Sequence, residues 1–279
     1  MPQSKNRIIR VSADDASIAL IGETWRMRNL IYLLAMRDVF VHYKQTFLGI
    51  IWVLLRPAIV ITIFVGLFGY VANFSEDSTI PMVALVAVGV MPWQFYSGAL
   101  TLGSNSLVAN LPLVTKAYIP RLIFPVAAIV AGLVDLAITL VILMVILLVL
   151  GTPLTWTALY FPLVILFGIF VMLGPILLSS AMIVIYRDLR VVMPFLVQAG
   201  TLMSPVGYTL LSIPEDYRML YAINPMVGVL ELGRWSLFGV EYSAFPMEAA
   251  AISAAWGLGL LIIGWTVFSR IERDMADII

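Results

Sequence analysis

Long apolar runs separated by short polar breaks give this chain its pattern. The first run begins at a change of character. Trp25, Leu30, Leu33, Leu34, Val39 and Phe40 recur at roughly helical spacing, while Arg26, Arg28, Arg37, Asp38 and Lys44 fill positions between them. That alternation predicts a helix lying in the headgroup plane of a membrane, with Arg37, His42, Tyr43 and Lys44 at the interface. From Phe47 to Val71 the chain is apolar over about the length that crosses a bilayer, interrupted by Arg56, Pro57 and small polar or glycine residues.

Five further runs follow, near residues 80–102, 122–150, 158–186, 191–211 and 249–269. The expected fold is an all-α integral membrane protein with six transmembrane helices and an N-terminal amphipathic interfacial helix. Pro81, Gly89 and Pro92 predict a kinked or locally unwound second span. The polar breaks differ in kind. Residues 73–79 carry Glu76 and Asp77, whereas 104–121 is too polar to span and carries Lys116 and Arg121. Arg187, Asp188 and Arg190 predict a salt-bridged turn after the fourth span. The stretch from Ile213 mixes carboxylates, aromatics and Asn224-Pro225, and reads as short re-entrant helices dipping into the outer leaflet between spans 5 and 6. There Glu215, Asp216 and Glu231 are expected to keep the segment hydrated.

Composition fits this class: 62% of residues are hydrophobic and 11% charged, against globular averages of about half and a quarter. The first 24 residues carry Lys5, Arg7, Arg10, Asp14 and Asp15 without an apolar core, so no cleavable signal peptide is expected. The organisation expected is a cytosolic lead-in at 1–23, one transmembrane domain at 24–270 and a charged tail at 271–279. Six spans put thirteen of the sixteen basic residues on the side of the termini, leaving out Arg56, Arg218 and Arg234. By the positive-inside rule that side is the cytosol and the location is the cytoplasmic membrane. Trp93, Trp156, Tyr160, Trp235 and Tyr242 lie near span ends, as interfacial aromatics do.

The candidate chemistry is sparse. With no cysteine and one histidine, His42, thiolate metal sites and multi-histidine sites are excluded, and no metal is expected. Lys5, Lys44 and Lys116 are the three lysines, and none sits in a phosphate-cradling glycine loop. ATP hydrolysis by that route is therefore excluded, and a transport subunit without catalytic residues is expected. Proton relays need ionisable groups at membrane depth, and only Arg56 and Asp135 qualify. That favours a machine driven by a partner over one driven by an ion gradient.

Four stretches carry a resemblance: RDVFVHYKQTFLGIIWVLLRP, SLVANLPLVTKAYIPRLIFP, YRDLRVVMPFLVQ and SPVGYTLLSIPEDYRMLYAINPMVGVLELGRW. Together, and in this order, they resemble the permease subunit of type-2 ABC exporters, in the branch that exports polysaccharides and polyol phosphates. His42 departs from the family, which tends to have arginine before Tyr43-Lys44-Gln45-Thr46. The resemblance implies a homodimer docking two copies of a cytosolic ATPase that holds ATP and magnesium, with no cofactor on this chain. It implies a polysaccharide on an undecaprenyl diphosphate carrier as substrate, most simply lipopolysaccharide O-antigen, with teichoic acid or capsule as alternatives. Membrane lipids are the other partner, and nucleic acid is not one. A membrane-embedded glycolipid transferase is the alternative of another class, disfavoured by the lack of a histidine or paired-carboxylate site.

Roles follow by analogy with the family. The 104–121 loop corresponds to a coupling helix, in which Leu107, Val108, Leu111 and Leu113 would form an apolar ridge among Asn105, Asn110, Pro112 and Lys116. Arg56 lies about 14 Å along the first span from Phe47, where an isolated charge costs at least ~2.5 kcal/mol. It either meets the carrier diphosphate, which suits a guanidinium fork, or pairs with Asp135 or snorkels. Trp52, Trp93, Phe95, Tyr96 and Tyr208 are candidates to line a sugar path, since aromatic faces stack on sugar rings; core packing is the competing role for each.

Overall fold

The computed structural model describes residues 13–44, 51–71, 80–116, 119–152, 154–243 and 246–278, and every regular element among them is helical. The lead-in up to Ser12, Phe47 at the start of the first run, and Glu76 and Asp77 lie outside the described residues. The elements are α1 (Ala13–Arg26), α2 (Arg28–Lys44), α3 (Ile51–Phe64), α4 (Met82–Ala109), α5 (Leu111–Lys116), α6 (Ile123–Val149), α7 (Phe161–Ile185), α8 (Leu189–Met203), α9 (Glu215–Tyr221), α10 (Pro225–Phe238) and α11 (Met247–Ile278). A π-helical stretch, Val65–Val71, continues α3, and a 3-10 turn, Trp156–Tyr160, leads into α7.

Four stretches among the described residues are long and apolar enough to cross a membrane: Met82–Ala109, Ile123–Val149, Trp156–Ile185 and Met247–Arg273. The first and fifth expected spans correspond to shorter apolar helices, Leu54–Gly69 and Leu189–Met203. The fifth was expected to reach residue 211 but ends at Met203. Ser204 leaves the helical region at φ −104°, ψ 150°, and Pro205 follows it. A proline cannot donate a helical hydrogen bond and forces the preceding residue toward an extended backbone.

The second expected span is longer than its apolar run suggests. α4 passes through Ser104, Asn105 and Ser106 to Ala109 without interruption. These polar side chains bond their own helix: Ser104 and Asn105 donate to the Thr101 carbonyl, and Ser106 donates to that of Gly103. Such back-bonding satisfies a polar residue inside a helix and removes its need for water. The polar loop thus shrinks to residues 110–121, and Pro92 is carried inside the helix.

α4 stands at the centre, with α3, α6, α7, α8 and α10 packed around it, and is the most buried of the four long helices. α7 and α11 form a separate close seam. A Cβ on Gly174 would lie 2.4 Å from the Leu260 carbonyl carbon, and one on Gly264 would lie 2.4 Å from the Gly174 oxygen. Small residues that let backbones touch are how helices associate where lipid removes the hydrophobic drive.

α2, the helix expected at the headgroup plane, packs on α6. Ile31 and Leu34 share a buried cluster with Leu122, Ile123, Phe124 and Ala127 at the start of α6. At the other end of α2 the Tyr43 hydroxyl donates to Asp135, midway along α6. The two contacts lie about 12 to 18 Å apart along each helix at 1.5 Å per residue, so α2 runs alongside the first half of α6. Its apolar residues are not one stripe: Ile31, Leu34 and Ala35 are buried, while Tyr32, Leu33, Phe40 and Val41 are exposed on other sides.

Candidate functional site

Apolar side chains stay exposed on several neighbours of α4. α3 and its π-helical continuation expose Ile51, Leu54, Leu55, Ile59, Ile63 and Leu67, and α8 exposes Val191, Val192, Phe195, Leu196, Leu202 and Met203; α6 exposes Val141, Val145 and Leu148, and α7 exposes Leu163 and Leu166. All four helices pack on α4. Arg56 stands exposed on α3 within this apolar surround. Among the described residues no carboxylate lies within ion-pair distance of it. The alternative of an Arg56–Asp135 pair is therefore not realised. Asp135 is half-buried and takes its hydrogen bond from Tyr43.

The aromatic candidates divide by position. Tyr96 is buried deep in the core, its ring against Gly168, where a Cβ would sit 2.1 Å from the hydroxyl oxygen. Phe95 is buried beside it, ring centroids 5.1 Å apart. Trp93 is buried too, and its indole N–H donates to Thr201 at 2.9 Å, fastening α4 to α8. Within one copy of the chain these three fill the core and line no open path. The side chain of Trp52 lies outside the described residues.

Tyr208 is half-exposed and stands in a string of rings that the sequence did not bring together. Phe64 stacks on Phe68 at 5.9 Å, Phe68 meets Tyr208 at 5.1 Å, and Tyr208 meets Tyr221 at 6.0 Å. The string runs from the end of α3 through its π-helical continuation to α9. Burial pushes the Tyr221 hydroxyl up to about 12.

The loop that carries Tyr208 is gripped by a buried ion pair. The side chains of Glu231 and Arg234 are 3% and 0% exposed, and Arg234 Nη1 donates to Glu231 Oε1 at 2.9 Å. Arg234 Nη2 also donates to the carbonyls of Pro205 and Val206, at 2.6 and 3.1 Å, and Nε donates to that of Leu85 on α4 at 3.2 Å. Glu231 Oε1 accepts from the Leu210 N–H at 3.1 Å, and Oε2 accepts from the Tyr242 hydroxyl at 2.5 Å. Glu231 thus overturns the expectation of a hydrated carboxylate: α10 is a core helix, and only Glu215 and Asp216 on α9 are exposed. One signal was available in the sequence, the i, i+3 spacing of opposite charges in an otherwise apolar stretch.

At the other end of the molecule the coupling segment has become the end of α4, the junction Asn110 and the short helix α5. Leu107 is fully buried and Val108 half-buried, so neither extends an outer ridge as expected, and Leu111 is half-buried. Asn105 is half-buried and spends its amide on α4. The outward side of α5 presents Pro112, Leu113, Thr115 and Lys116. Both edges of the segment are tied down. Arg37 of α2, which also pairs with Asp38, donates to Asn110 Oδ1 at 2.8 Å; Arg121 donates through its backbone N–H and its guanidinium to Glu272 near the end of α11, at 2.9 and 3.0 Å. His42 and Lys44 are exposed. Arg187, Asp188 and Arg190 are exposed as well, and no ion pair joins them among the described residues, so the salt-bridged turn is not formed.

The arrangement is that of a helical body with exposed apolar faces, Arg56 standing on one of them, aromatic rings at one end and a tethered helix at the other. Comparison with known proteins points the same way. The chain is 27% identical to the O-antigen export system permease protein RfbA of Myxococcus xanthus, across 93% of this chain and 99% of that protein. It is 24% identical to the protein of the same name from Klebsiella pneumoniae, covering 90% and 95%, and 24% identical to the polysialic acid transport protein KpsM of Escherichia coli, covering 87% and 93%. The profile of the ABC-2 type transporter matches residues 29–238, from α2 to the end of α10, and the chain belongs to that family.

Proposed function

We propose that the chain is the permease subunit of an ATP-driven exporter that moves an undecaprenyl-diphosphate-linked polysaccharide, O-antigen in the first instance, across the cytoplasmic membrane. Three of its relatives are named for O-antigen export or polysialic acid transport, and all of them match along nearly their whole length. The observation that carries the reading is the open face of α3 and α8. Two copies related by a twofold axis would close these faces over a common path, with α3 and α8 completing six spans per copy. Arg56 would then meet the diphosphate of the carrier lipid, and the ring string from Phe64 to Tyr221 would bear the sugars. Each copy docks one ATPase subunit on α5, which puts both termini in the cytosol, in keeping with the distribution of basic residues. ATP and magnesium belong to the ATPase. Teichoic-acid or capsule export is the second reading, supported by the likeness to the polysialic acid transport protein KpsM.

The test is ATP hydrolysis in liposomes, by the permease alone and by the permease co-expressed and co-purified with a candidate partner ABC ATPase, with and without undecaprenyl-diphosphate-linked O-polysaccharide. Hydrolysis only by the complex, raised further by the glycan, is the expected result. A permease that binds no ATPase would overturn the proposal.

A further inference from the structure

The Arg234–Glu231 pair does more than neutralise itself. Its bonds fall on both sides of one short stretch. Arg234 takes the carbonyls of Pro205 and Val206, and Glu231 takes the N–H of Leu210. Between those grips lie Gly207, Tyr208 and Thr209. Gly207 is pressed against Phe64, so that a Cβ there would lie 2.3 Å from the ring. Gly89 closes the other side: a Cβ on it would lie 2.1 Å from the Val206 oxygen and 2.5 Å from Arg234 Nη2. The loop has no slack toward α4, α10 or α3, and the ring it presents is Tyr208.

Unwound backbone at membrane depth needs donors and acceptors, and that need alone explains why some polar side chain sits here. It does not explain the choice of one i, i+3 pair that binds the two ends of the loop from a single turn of α10, with Tyr242 holding the carboxylate from behind. We propose that Arg234 and Glu231 are positioning residues for transport, which hold 205–210 so that the Tyr208 ring stands between Phe68 and Tyr221. The proposal rests on the reading above that the polysaccharide passes this ring string. The pair touches no sugar itself; it acts through Tyr208.

A double-mutant cycle tests it. The permease–ATPase complex is reconstituted in liposomes with undecaprenyl-diphosphate-linked O-polysaccharide, and the half-saturating glycan concentration for ATPase stimulation is measured. The forms compared are wild type, Tyr208→Ala, Arg234→Lys and the double variant. Lysine keeps the charge opposite Glu231 but has no fork to reach three carbonyls. Tyr208→Ala should raise half-saturation about two- to tenfold, the worth of one aromatic contact. Arg234→Lys should raise it in the same range with the maximal rate retained, and the double variant should be no worse than Tyr208→Ala. Effects that multiply in the double variant overturn the positioning role and leave the path standing. A Tyr208→Ala protein indistinguishable from wild type overturns both. If Arg234→Lys does not assemble, Tyr242→Phe takes its place in the cycle, loosening Glu231 by one hydrogen bond while keeping the ring, and the same outcomes decide.

Discussion

Arg56 and Arg234 both stand in helices made mostly of apolar residues, and the fold treats them in opposite ways. Arg234 has no exposed surface and donates to a carboxylate and three backbone carbonyls drawn from α4, α10 and the loop after α8. Arg56 is exposed on α3, with no carboxylate in reach among the described residues. Burying a guanidinium is costly unless its donors are used, and a buried ion pair is by itself weak evidence of stabilisation. Arg234 answers carbonyls that the break at Ser204-Pro205 leaves in the interior, those of Pro205 and Val206. Arg56 has no such duty. On the function proposed above, the carrier diphosphate is what would answer its charge.

The largest expected effect breaks the first half of that comparison. Arg234→Ala strands the Glu231 carboxylate and the Pro205 and Val206 carbonyls, and should cost about 3–5 kcal/mol, as breaking a buried pair does. Monodisperse protein in detergent should be largely lost, read by fluorescence-detected size exclusion and thermal unfolding. Pairing Arg234→Met with Glu231→Leu removes the stranded charge but still orphans the loop backbone. It should recover part of the loss and not all of it, and full recovery would mean that the loop does not depend on the pair.

The second prediction sharpens the other half. Arg56→Ala should leave assembly and the melting temperature unchanged, since among the described residues the side chain has no ion-pair or hydrogen-bond partner. If the guanidinium meets a diphosphate, half-saturation for lipid-linked glycan should rise about ten- to hundredfold, the worth of a charge-assisted contact of about 1.5–3 kcal/mol. A variant that loses stability along with glycan response would place Arg56 among the structural charges with Arg234.

Why one arginine was legible from sequence and the other was not is a matter of range. The apolar runs mark α4, α6, α7 and α11 because twenty or so apolar residues admit one solution in lipid, and Arg56 stands out against such a run. Helix ends are set by more local chemistry. Ser104, Asn105 and Ser106 look like a loop to any hydropathy argument, yet they extend α4 by bonding its own carbonyls. Arg234 was within reach of a spacing rule, but Glu231 reads as hydrated because Leu210 meets it only across the junction at Asn224-Pro225, where the Asn224 side chain caps α10 by accepting from the Met226 N–H at 3.0 Å, and Tyr242 only after α10 has ended. The ring string has the same cause: Phe68, Tyr208 and Tyr221 come from three separate segments, and no spacing rule joins them.

The smallest expected effect concerns the carboxylate that Arg56 does not pair with. Asp135 is half-buried on α6 and is held by the Tyr43 hydroxyl. Tyr43→Phe removes that donor and keeps the ring, so it should cost about 0.5–1.5 kcal/mol, seen as a modest drop in melting temperature. The penalty comes from a carboxylate left short of a donor, so adding Asp135→Asn to Tyr43→Phe should return most of it. The same Asp135→Asn placed beside Arg56→Ala should return nothing, because that pair shares no bond. If Arg56→Ala lowers the melting temperature and Asp135→Asn restores it, the two charges are coupled after all, and Arg56 would join Arg234 as a cation answered from within the chain.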